Sequence, residues 1–319
     1  MTAGEHSDPQ FYGLLKLPPS SERMANLPAG RDPVDIYLRC ASLCGASFRH
    51  FGYAWTLLTD DAGAVSRRCR TLGIDNIEPR EIPFTRDVPG GIAFHSAHYK
   101  LDVLAWLGAQ EGTARRGLVD LDAVCLAPLP GSVLTASGLA GYCITDSIPP
   151  GQEEAAADSI AILLGRPSSP EWWGGEFLLG APEHFAALSK RIETLWPSYR
   201  ARHAEMFHSG DEMLVTAALA DMRHAGEKVL DAGAEGAVHR FWSARTLNRF
   251  PPFSLGGEAS ILHLPADKPF LAAQARLAFD PAGVKAAYRR RLQGKIMLRR
   301  AAGLLDRLRG RATLYPPRL

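Results

Sequence analysis

The stretch that decides the fold class joins two short apolar runs through a pair of acids: Gly117-Leu118-Val119-Asp120-Leu121-Asp122-Ala123-Val124-Cys125. Side chains two positions apart in an extended segment point to the same face, so Asp120 and Asp122 are predicted to share one face where a buried strand ends. Two such carboxylates can bind one hard divalent cation, which takes oxygen ligands and commonly shares them with substrate phosphates. The simpler interpretation is a strand end followed by two solvated acids in a turn.

Strand and helix patterns alternate on both sides of this stretch. Strands are predicted at 34–38, 53–59, within 74–84, at 118–122 and at 139–145, and helices at 62–73 and 95–107. This alternation predicts an α/β fold with a mainly parallel sheet flanked by helices. Because ligands of such sheets bind beyond the carboxyl ends of the strands, Asp60, Asp61 and the acidic pair are expected at one edge.

The remaining segments divide the chain into three predicted parts. Residues 1–33 are rich in Pro, Ser and Gly and are predicted to form a loosely packed N-terminal arm. Residues 34–278 are predicted to form the main domain, with a strand at 173–180, helices at 182–196 and 211–222, and a strand at 260–265. Residues 279–319 are predicted to form a basic C-terminal tail.

Composition places the chain among globular proteins of a reducing compartment. The 319 residues are 46% hydrophobic and 22% charged, which is ordinary for a soluble domain, and no apolar run is long enough to cross a bilayer. The first 13 residues lack the apolar core of a secretory signal. The five cysteines are odd in number and none has zinc-site or thioredoxin spacing, so we expect a cytoplasmic protein.

The small net charge hides an uneven distribution. Residues 285–319 contain eleven lysines and arginines against one acid, which gives +10 in a chain of net charge +2 and leaves −8 for the rest. Leucine and isoleucine recur among these basic residues at near-helical spacing, which favours an amphipathic helix on an anionic membrane surface. Packing on the acidic body and a nucleic-acid contact are the alternatives, and the acidic body argues against an extended nucleic-acid surface.

Five motifs follow one another in an order that carries a family resemblance. They are His98-Tyr99-Lys100-Leu101, Leu118 to Val124, Trp173 to Leu179, Asp211-Glu212-Met213-Leu214 and His263-Leu264-Pro265-Ala266-Asp267-Lys268-Pro269-Phe270. They resemble motifs of the GT-A glycosyltransferases, most closely family eight, the retaining galactosyl- and glucosyltransferases. The resemblance implies the GT-A fold, a Rossmann-like fold of nucleotide-diphospho-sugar transferases.

Several positions depart from the family pattern. The family has acids after its first strand to hold the nucleoside, and the corresponding place here reads Arg39-Cys40-Ala41-Ser42. Gly174 and Glu176 replace an Asn and a Gly of the family's middle strand. Glu212 replaces a Gln that lies near the anomeric carbon, and Phe270 replaces a Trp.

The resemblance implies a divalent cation, Mn²⁺ or Mg²⁺, held by Asp120, Asp122 and His263. Imidazole is an acceptable ligand for Mn²⁺ beside oxygens. Asp120, Lys100 and Lys268 would bind the nucleotide-sugar donor, with Lys268 neutralising the β-phosphate as a point charge. The alternatives are a strand-end histidine bonded to backbone, a helix-surface lysine at position 100 and a solvated loop lysine at position 268.

Two acids and two tryptophans are candidates for the sugar side of the site. Asp211 would accept hydrogen bonds from sugar hydroxyls, and the Glu212 carboxylate would stabilise an oxocarbenium-like centre. Alternatively, both acids serve only the first turn of a helix, where acids favour the helix dipole. Trp172 and Trp173 either stack on an acceptor sugar or pack in the core.

Together these features predict a metal-dependent glycosyltransferase. It would move a hexose from a UDP-linked donor to a hydroxyl of a surface glycan or lipid-linked acceptor, with retention. One alternative is a GT-A nucleotidyltransferase, but that class opens with a Gly-rich basic phosphate loop, and residues 39–45 contain one such glycine. The other alternative is a GT-A-like scaffold that has lost catalysis and works through its basic tail.

Overall fold

The structure is a computed structural model that describes residues 8–17, 32–92, 94–244, 252–253 and 258–308, with the backbone alone for 299–300 and 302–308. Residues 1–7 and 18–31 of the predicted arm and residues 309–319 of the predicted tail lie outside the described residues.

Seven strands of the described chain form one sheet. They are β1 (Gln10–Leu15), β2 (Ala54–Thr59), β3 (Pro79–Glu81), β4 (Arg116–Val119), β6 (Leu139–Cys143), β7 (Trp173–Gly180) and β8 (Val229–Asp231). Their order is β3-β2-β1-β4-β7-β6-β8. Neighbours pair in parallel except β7, which is antiparallel to both β4 and β6. The predicted fold class, an α/β fold with a mainly parallel sheet, is confirmed.

Helices cover both faces of this sheet. They are α1 (Pro33–His50), α2 (Ala62–Leu72), α3 (Lys100–Gly108), α4 (Gly131–Leu134), α5 (Glu153–Leu164), α6 (Pro182–Arg202), α7 (Asp211–His224), α8 (Lys268–Gln274) and α9 (Pro281–Leu308). Neighbouring strand residues divide between two apolar clusters: Phe11 and Val119 pack with α1, while Tyr12 and Leu118 pack with α3, α6 and α7. This alternation is the two-residue period of a strand buried on both faces.

The prediction for the start of the chain is wrong in two respects. Residues 34–38 are not a strand but lie in α1, which begins at Pro33 after an Asp32 side chain that accepts a hydrogen bond from the Val34 N–H. Asp at the N-cap and Pro at the first helical position are strong helix starts. The first strand is β1, inside the segment predicted to be a loose arm, and it pairs with both β2 and β4.

A tight turn after β4 carries the acidic pair. β4 ends at Val119, the Ala123 N–H donates to the Asp120 carbonyl, and β5 (Ala123–Cys125) begins at once. Asp120 and Asp122 are therefore in a turn and not in the predicted extended strand. Leu121 between them packs on β1, since a Cβ at Gly13 would lie 2.4 Å from its Cδ2 atom.

A second, three-stranded sheet brings distant segments to this turn. Its order is β5-β10-β9, with β10 at Ile261–His263 and β9 at Val238–Arg240. In its register His263 pairs with Ala123 on one side and with Arg240 on the other. The pairing therefore places the His263 side chain beside the acidic turn.

The first half of α9 packs on the body of the protein. Val284, Tyr288 and Leu292 are buried, whereas Met297 and Leu298 are 70% and 73% exposed. The self-packing alternative therefore holds for the part of the predicted tail that includes these buried residues. Among the described residues, no helix combines the length and apolarity that crossing a bilayer requires.

Candidate functional site

Asp120, Asp122 and His263 form a cluster at the carboxyl end of β4. One ligand atom from each lies within 4.8 Å of the others. The Nε2 atom of His263 is 3.1 Å from Oδ1 of Asp122 and 3.6 Å from Oδ2 of Asp120. Asp122 and His263 are buried, and Asp120 is partly exposed. The three predicted ligands, 143 positions apart at most, are thus brought together by the turn and by β10.

Glu176 fixes the orientation of the His263 ring. The Nδ1 atom of His263 lies 3.3 Å from Oε1 of Glu176, so the opposite nitrogen faces the two aspartates. Burial alone would lower the pKa of His263, but the Asp122 and Glu176 carboxylates raise it to about 9. A carboxylate behind a histidine that faces a candidate metal position is the usual outer-shell arrangement of metal-binding histidines.

Two ammonium groups, that of the buried Lys268 and that of the partly buried Lys100, neutralise the acidic pair. The Nζ atom of Lys268 lies 2.7 Å from Oδ2 of Asp122, and that of Lys100 lies 2.6 Å from Oδ1 of Asp120. Burial opposes both charged forms, yet the aspartates raise the pKa of each lysine above its usual value. Lys268 starts α8 with 4% of its surface exposed, so it is not a solvated loop lysine. Lys100 is not a helix-surface lysine either.

A chain of buried charges that the sequence did not reveal continues from His263. The Arg240 guanidinium donates two hydrogen bonds of 2.5 Å to Glu176 and one of 2.5 Å to Oε1 of Glu212. The Trp172 indole donates to the other oxygen of Glu212 at 2.9 Å. Burial favours the neutral acid, but Arg240 outweighs it and lowers the pKa of Glu212. Glu212 is thus held as a carboxylate in a fixed orientation.

Asp211 has one oxygen left for a further donor. It is 3% exposed, and its Oδ2 atom has no hydrogen-bond partner among the described residues, although the Lys100 ammonium is 3.7 Å away. Burial raises the pKa of Asp211 against the opposing effect of Lys100. A buried oxygen without a partner is costly, so this atom is suited to accept a hydrogen bond from a bound molecule.

Two glycines of β7 leave room for these carboxyl groups. A Cβ at Gly174 would lie 1.9 Å from Oε2 of Glu176, and a Cβ at Gly175 would lie 2.6 Å from Oδ2 of Asp211. Glycine inside a strand often marks such a close approach. The Gly-Gly pair therefore leaves the space that the carboxyl groups of Glu176 and Asp211 occupy.

Other predicted side chains are structural. Trp172 and Trp173 are 5% and 4% exposed, so they pack in the core and do not offer a stacking surface. Asp61 caps α2 through the Ala64 N–H, and Asp60 accepts from the Leu17 N–H at 2.9 Å. These two acids therefore have backbone partners and do not join the acidic cluster, although both follow β2 directly.

A pocket opens beside the acidic cluster at the ends of β1 and β4. Its lining includes Lys16, Tyr37 and Phe94, together with both buried lysines and the aspartate pair. Since β1 ends at Leu15, the residue after the first strand is Lys16, and the predicted position 39–42 lies within α1. The Lys16 ammonium is 3.4 Å from Asp60 and lies over the Tyr99 ring.

The donor set fits a divalent cation. Two carboxylates and an imidazole converge from the turn and from β10, and Lys100 and Lys268 occupy the acidic oxygens as counter-charges. Oxygen donors with one imidazole are compatible with Mn²⁺, and the carboxylates alone with Mg²⁺. A ligand that binds together with a divalent cation would neutralise Asp120 and Asp122 in place of the two lysine ammonium groups.

Most of the residues that converge here were predicted from the sequence, but Arg240 was not. The residue lies in a three-residue strand, Val238–Arg240, that no motif singles out. Glu176 departs from the motif of the family that the sequence resembles. An acid in an otherwise apolar, buried strand indicates a buried cationic partner. The sequence does not indicate which basic residue that partner is.

Comparisons with known proteins give weak structural likenesses only. No family model matches the sequence, and no curated protein matches it. The chain is similar to the solved galactosyltransferase LgtC in complex with donor and acceptor sugar analogs, with a TM-score of 0.46, 13% identity and coverage of 86% of this chain and 99% of that one. An active-site mutant of LgtC gives a TM-score of 0.47 and 14% identity over the same shares of the two chains.

A third match is the bifunctional glycosyltransferase WbbM, with a TM-score of 0.45 and 11% identity over 82% of this chain and 46% of that chain. All three of these structures are of glycosyltransferases. Their TM-scores are below 0.5, so these likenesses carry no argument about the function of this chain.

Proposed function

We propose that the chain is a metal-dependent glycosyltransferase that moves a hexose from a nucleotide sugar, UDP-linked, to a hydroxyl of a surface glycan or lipid-linked acceptor, with retention. The observation that supports it best is the convergence of Asp120, Asp122 and His263 beside a pocket that both aspartates, Lys100 and Lys268 line. A sugar diphosphate needs this combination, because cleaving its anomeric C–O bond leaves negative charge on the phosphate oxygens. A divalent cation held by the three ligands would stabilise that leaving group.

The two lysines are suited to the diphosphate. In the described structure each ammonium pairs with one aspartate, and each can turn to a phosphate oxygen when a cation neutralises the aspartates. Lys268 then neutralises the β-phosphate, and Lys100, which is also close to Asp211, contacts the diphosphate or the sugar. Charge-assisted hydrogen bonds of this kind are among the strongest that a protein makes.

Asp211 and Glu212 have different roles in this proposal. The unpartnered Oδ2 atom of Asp211 accepts a hydrogen bond from a sugar hydroxyl. Glu212, fixed by Arg240 and Trp172, holds a negative charge near the anomeric carbon and stabilises the oxocarbenium-like centre. Because both oxygens of Glu212 already accept hydrogen bonds, electrostatic stabilisation suits it better than nucleophilic attack.

The nucleotidyltransferase alternative loses support once the first strand is located. The residues after β1 read Lys16-Leu17-Pro18-Pro19, and the next glycine is Gly30. A Gly-rich phosphate loop is therefore missing from the sequence at the position where that class needs it. The scaffold alternative conflicts with a largely buried ion cluster whose assembly from distant segments of the chain costs desolvation energy.

Release of the nucleoside diphosphate from UDP-glucose and UDP-galactose tests the proposal. We expect slow hydrolysis that requires Mn²⁺ and that Asp122→Asn abolishes. Asp158→Asn, an exposed acid on α5, is the matched control and should hydrolyse the donor at the wild-type rate. Metal-independent release, or equal rates in the Asp122→Asn variant, would count against the proposal.

A further inference from the structure

Helix α9 contacts the loop between β10 and α8, next to the candidate site, through the buried side chain of Asp267. Asp267 is fully buried and four positions after His263. Its side chain accepts hydrogen bonds from the Tyr288 hydroxyl at 2.8 Å, from Arg291 Nε at 2.9 Å and from Lys295 Nζ at 2.5 Å, and also from Ser243. Three of these four donors belong to α9. The helix therefore supplies most of the hydrogen bonds that compensate the burial of this carboxylate.

The backbone of Asp267 shapes the loop between β10 and α8. Its N–H donates to the Leu264 carbonyl at 3.0 Å, and its carbonyl accepts from the Phe270 N–H at 2.9 Å and from the Leu271 N–H at 3.2 Å. The next residue, Lys268, donates to the Pro265 carbonyl at 2.9 Å and pairs with Asp122 at 2.7 Å. A shift of Asp267 would therefore move the Lys268 ammonium relative to the acidic turn.

Apolar contacts fix the helix against the same loop. The Tyr288 ring, fully buried, lies 5.1 Å from the Phe270 ring in α8. Arg291 also lies over the Phe270 ring, with its guanidinium 5.8 Å from the ring centre. Ion pairs and aromatic packing thus join α9 to α8 within two residues of Lys268.

From this geometry we propose that α9, through Arg291 and Lys295, positions the Asp267–Lys268 loop and with it the cation-binding residues Asp122 and His263. Arg291 and Lys295 are positioning residues, because neither is among the residues that line the pocket. The catalytic unit then extends through residue 295, and a separate basic tail begins only after it, in contrast to the boundary at 279 that the sequence suggested. This inference rests on the proposed function, since it assumes that the acidic cluster binds a cation.

The test measures Mn²⁺ binding in the presence of UDP, by electron paramagnetic resonance of the free ion, in full-length variants. In Arg291→Gln/Lys295→Gln we expect the Kd for Mn²⁺ to rise roughly 10-fold, the low end of what outer-shell partners contribute. The matched control is Arg289→Gln/Arg290→Gln, which removes two exposed charges from the same helix and should leave the Kd unchanged. Titrations are run far below the thermal midpoint of each variant, so that only folded protein is compared.

A purely structural role for the two residues predicts a different pattern. The thermal midpoint would fall while the Kd of the folded protein stayed at the wild-type value, and that result would overturn the inference. Lys295→Gln alone, which keeps the Arg291 contact, provides a milder variant for the same titration if the double variant does not fold. Absence of Mn²⁺ binding by the wild-type protein would instead remove the proposed function, and the inference with it.

Discussion

The Nδ1 atom of His263 lies 3.3 Å from a carboxylate oxygen of Glu176, and this contact turns Nε2 toward the acidic turn. Glu176 is 1% exposed and lies on β7, whereas His263 lies on β10 of the smaller sheet. The contact therefore joins the two sheets at the candidate metal position. Because Glu176 also binds Arg240, which binds Glu212, it links the acidic cluster to Glu212.

The first prediction concerns this contact. Replacing Glu176 with Gln should weaken Mn²⁺ binding about 10- to 100-fold, the range that outer-shell partners of metal-binding histidines contribute. The amide keeps the shape but no longer favours the ring orientation with Nε2 free. Glu171→Gln is the control, since the partly buried Glu171 has Arg223 and the Trp173 indole as partners. Equal Mn²⁺ affinity in both variants would show that Glu176 does not support the site.

Arg240 should be among the most important side chains for stability. Arg240→Met removes the guanidinium that pairs with both Glu176 and Glu212, and we expect the free energy of unfolding to fall by about 3–5 kcal/mol. Urea unfolding at pH 7.5 measures the change. The control is Arg223→Met, which removes the exposed partner of the pair with Glu171 and should cost about 1 kcal/mol or less. A loss no larger than the control would contradict the buried network.

Stability should fall in mild acid because of His98. Burial lowers the pKa of His98 from its ordinary 6.5 to about 4, so the unfolded chain binds more protons than the native protein between these values. The free energy of unfolding therefore decreases as the pH drops from 6.5 toward 4, by up to about 3 kcal/mol. Glu176 and Glu212, whose pKa values are held low, add a loss that begins only below about pH 4.5.

Urea unfolding between pH 7.5 and 4.5 checks this window. His98→Gln keeps a side chain that can bond the Tyr199 hydroxyl and should lower the slope between pH 6.5 and 4.5. Burial lowers the pKa of His239 to about 4 in the same way, so His239 accounts for a slope that remains in this variant. The exposed His224 on α7 offers the control variant His224→Gln, which should keep the wild-type slope. An unchanged slope in His98→Gln would mean that His98 is not the group that titrates.

The end of α9 should bind an anionic membrane surface. Met297 and Leu298 are exposed, and Arg299 and Arg300 follow them. Each basic residue near an anionic leaflet contributes about 1 kcal/mol, so Arg299→Glu/Arg300→Glu should lower partitioning to phosphatidylserine vesicles at least 10-fold. Arg67→Glu/Arg70→Glu makes the same charge change on an exposed face of α2. Equal sedimentation of the two variants would argue against the membrane contact.

Much of the architecture follows from local rules that can be applied to the sequence. The apolar run of β2, the helical spacing of α6 and the acids at the start of α7 each satisfied one such rule, and the structure agrees with them. The prediction of a strand at residues 34–38 is wrong because an apolar run of that length suits a strand or a helix equally well. Asp32 and Pro33, which start the helix, lie at the end of the segment predicted to be the arm.

The candidate site was predictable where its residues lie in recognisable motifs. Asp120, Asp122, His263 and Lys268 come from two such motifs, and the structure brings them together. Arg240 and the donors to Asp267 were not predictable, because their partners are set by pairing between distant strands and by the docking of α9. Long-range ion pairs leave no periodic signal in a sequence.

The central claim is that Asp120, Asp122 and His263 bind a cation together with a nucleoside diphosphate, and thermal unfolding with UDP and Mn²⁺ tests it most directly. A ligand that binds only the native state stabilises it by about 3 kcal/mol at one hundred times its Kd. We predict a rise in the midpoint that needs both UDP and Mn²⁺ and that disappears in Asp122→Asn. No metal-dependent rise with any nucleoside diphosphate, or an equal rise in Asp122→Asn, would contradict the claim.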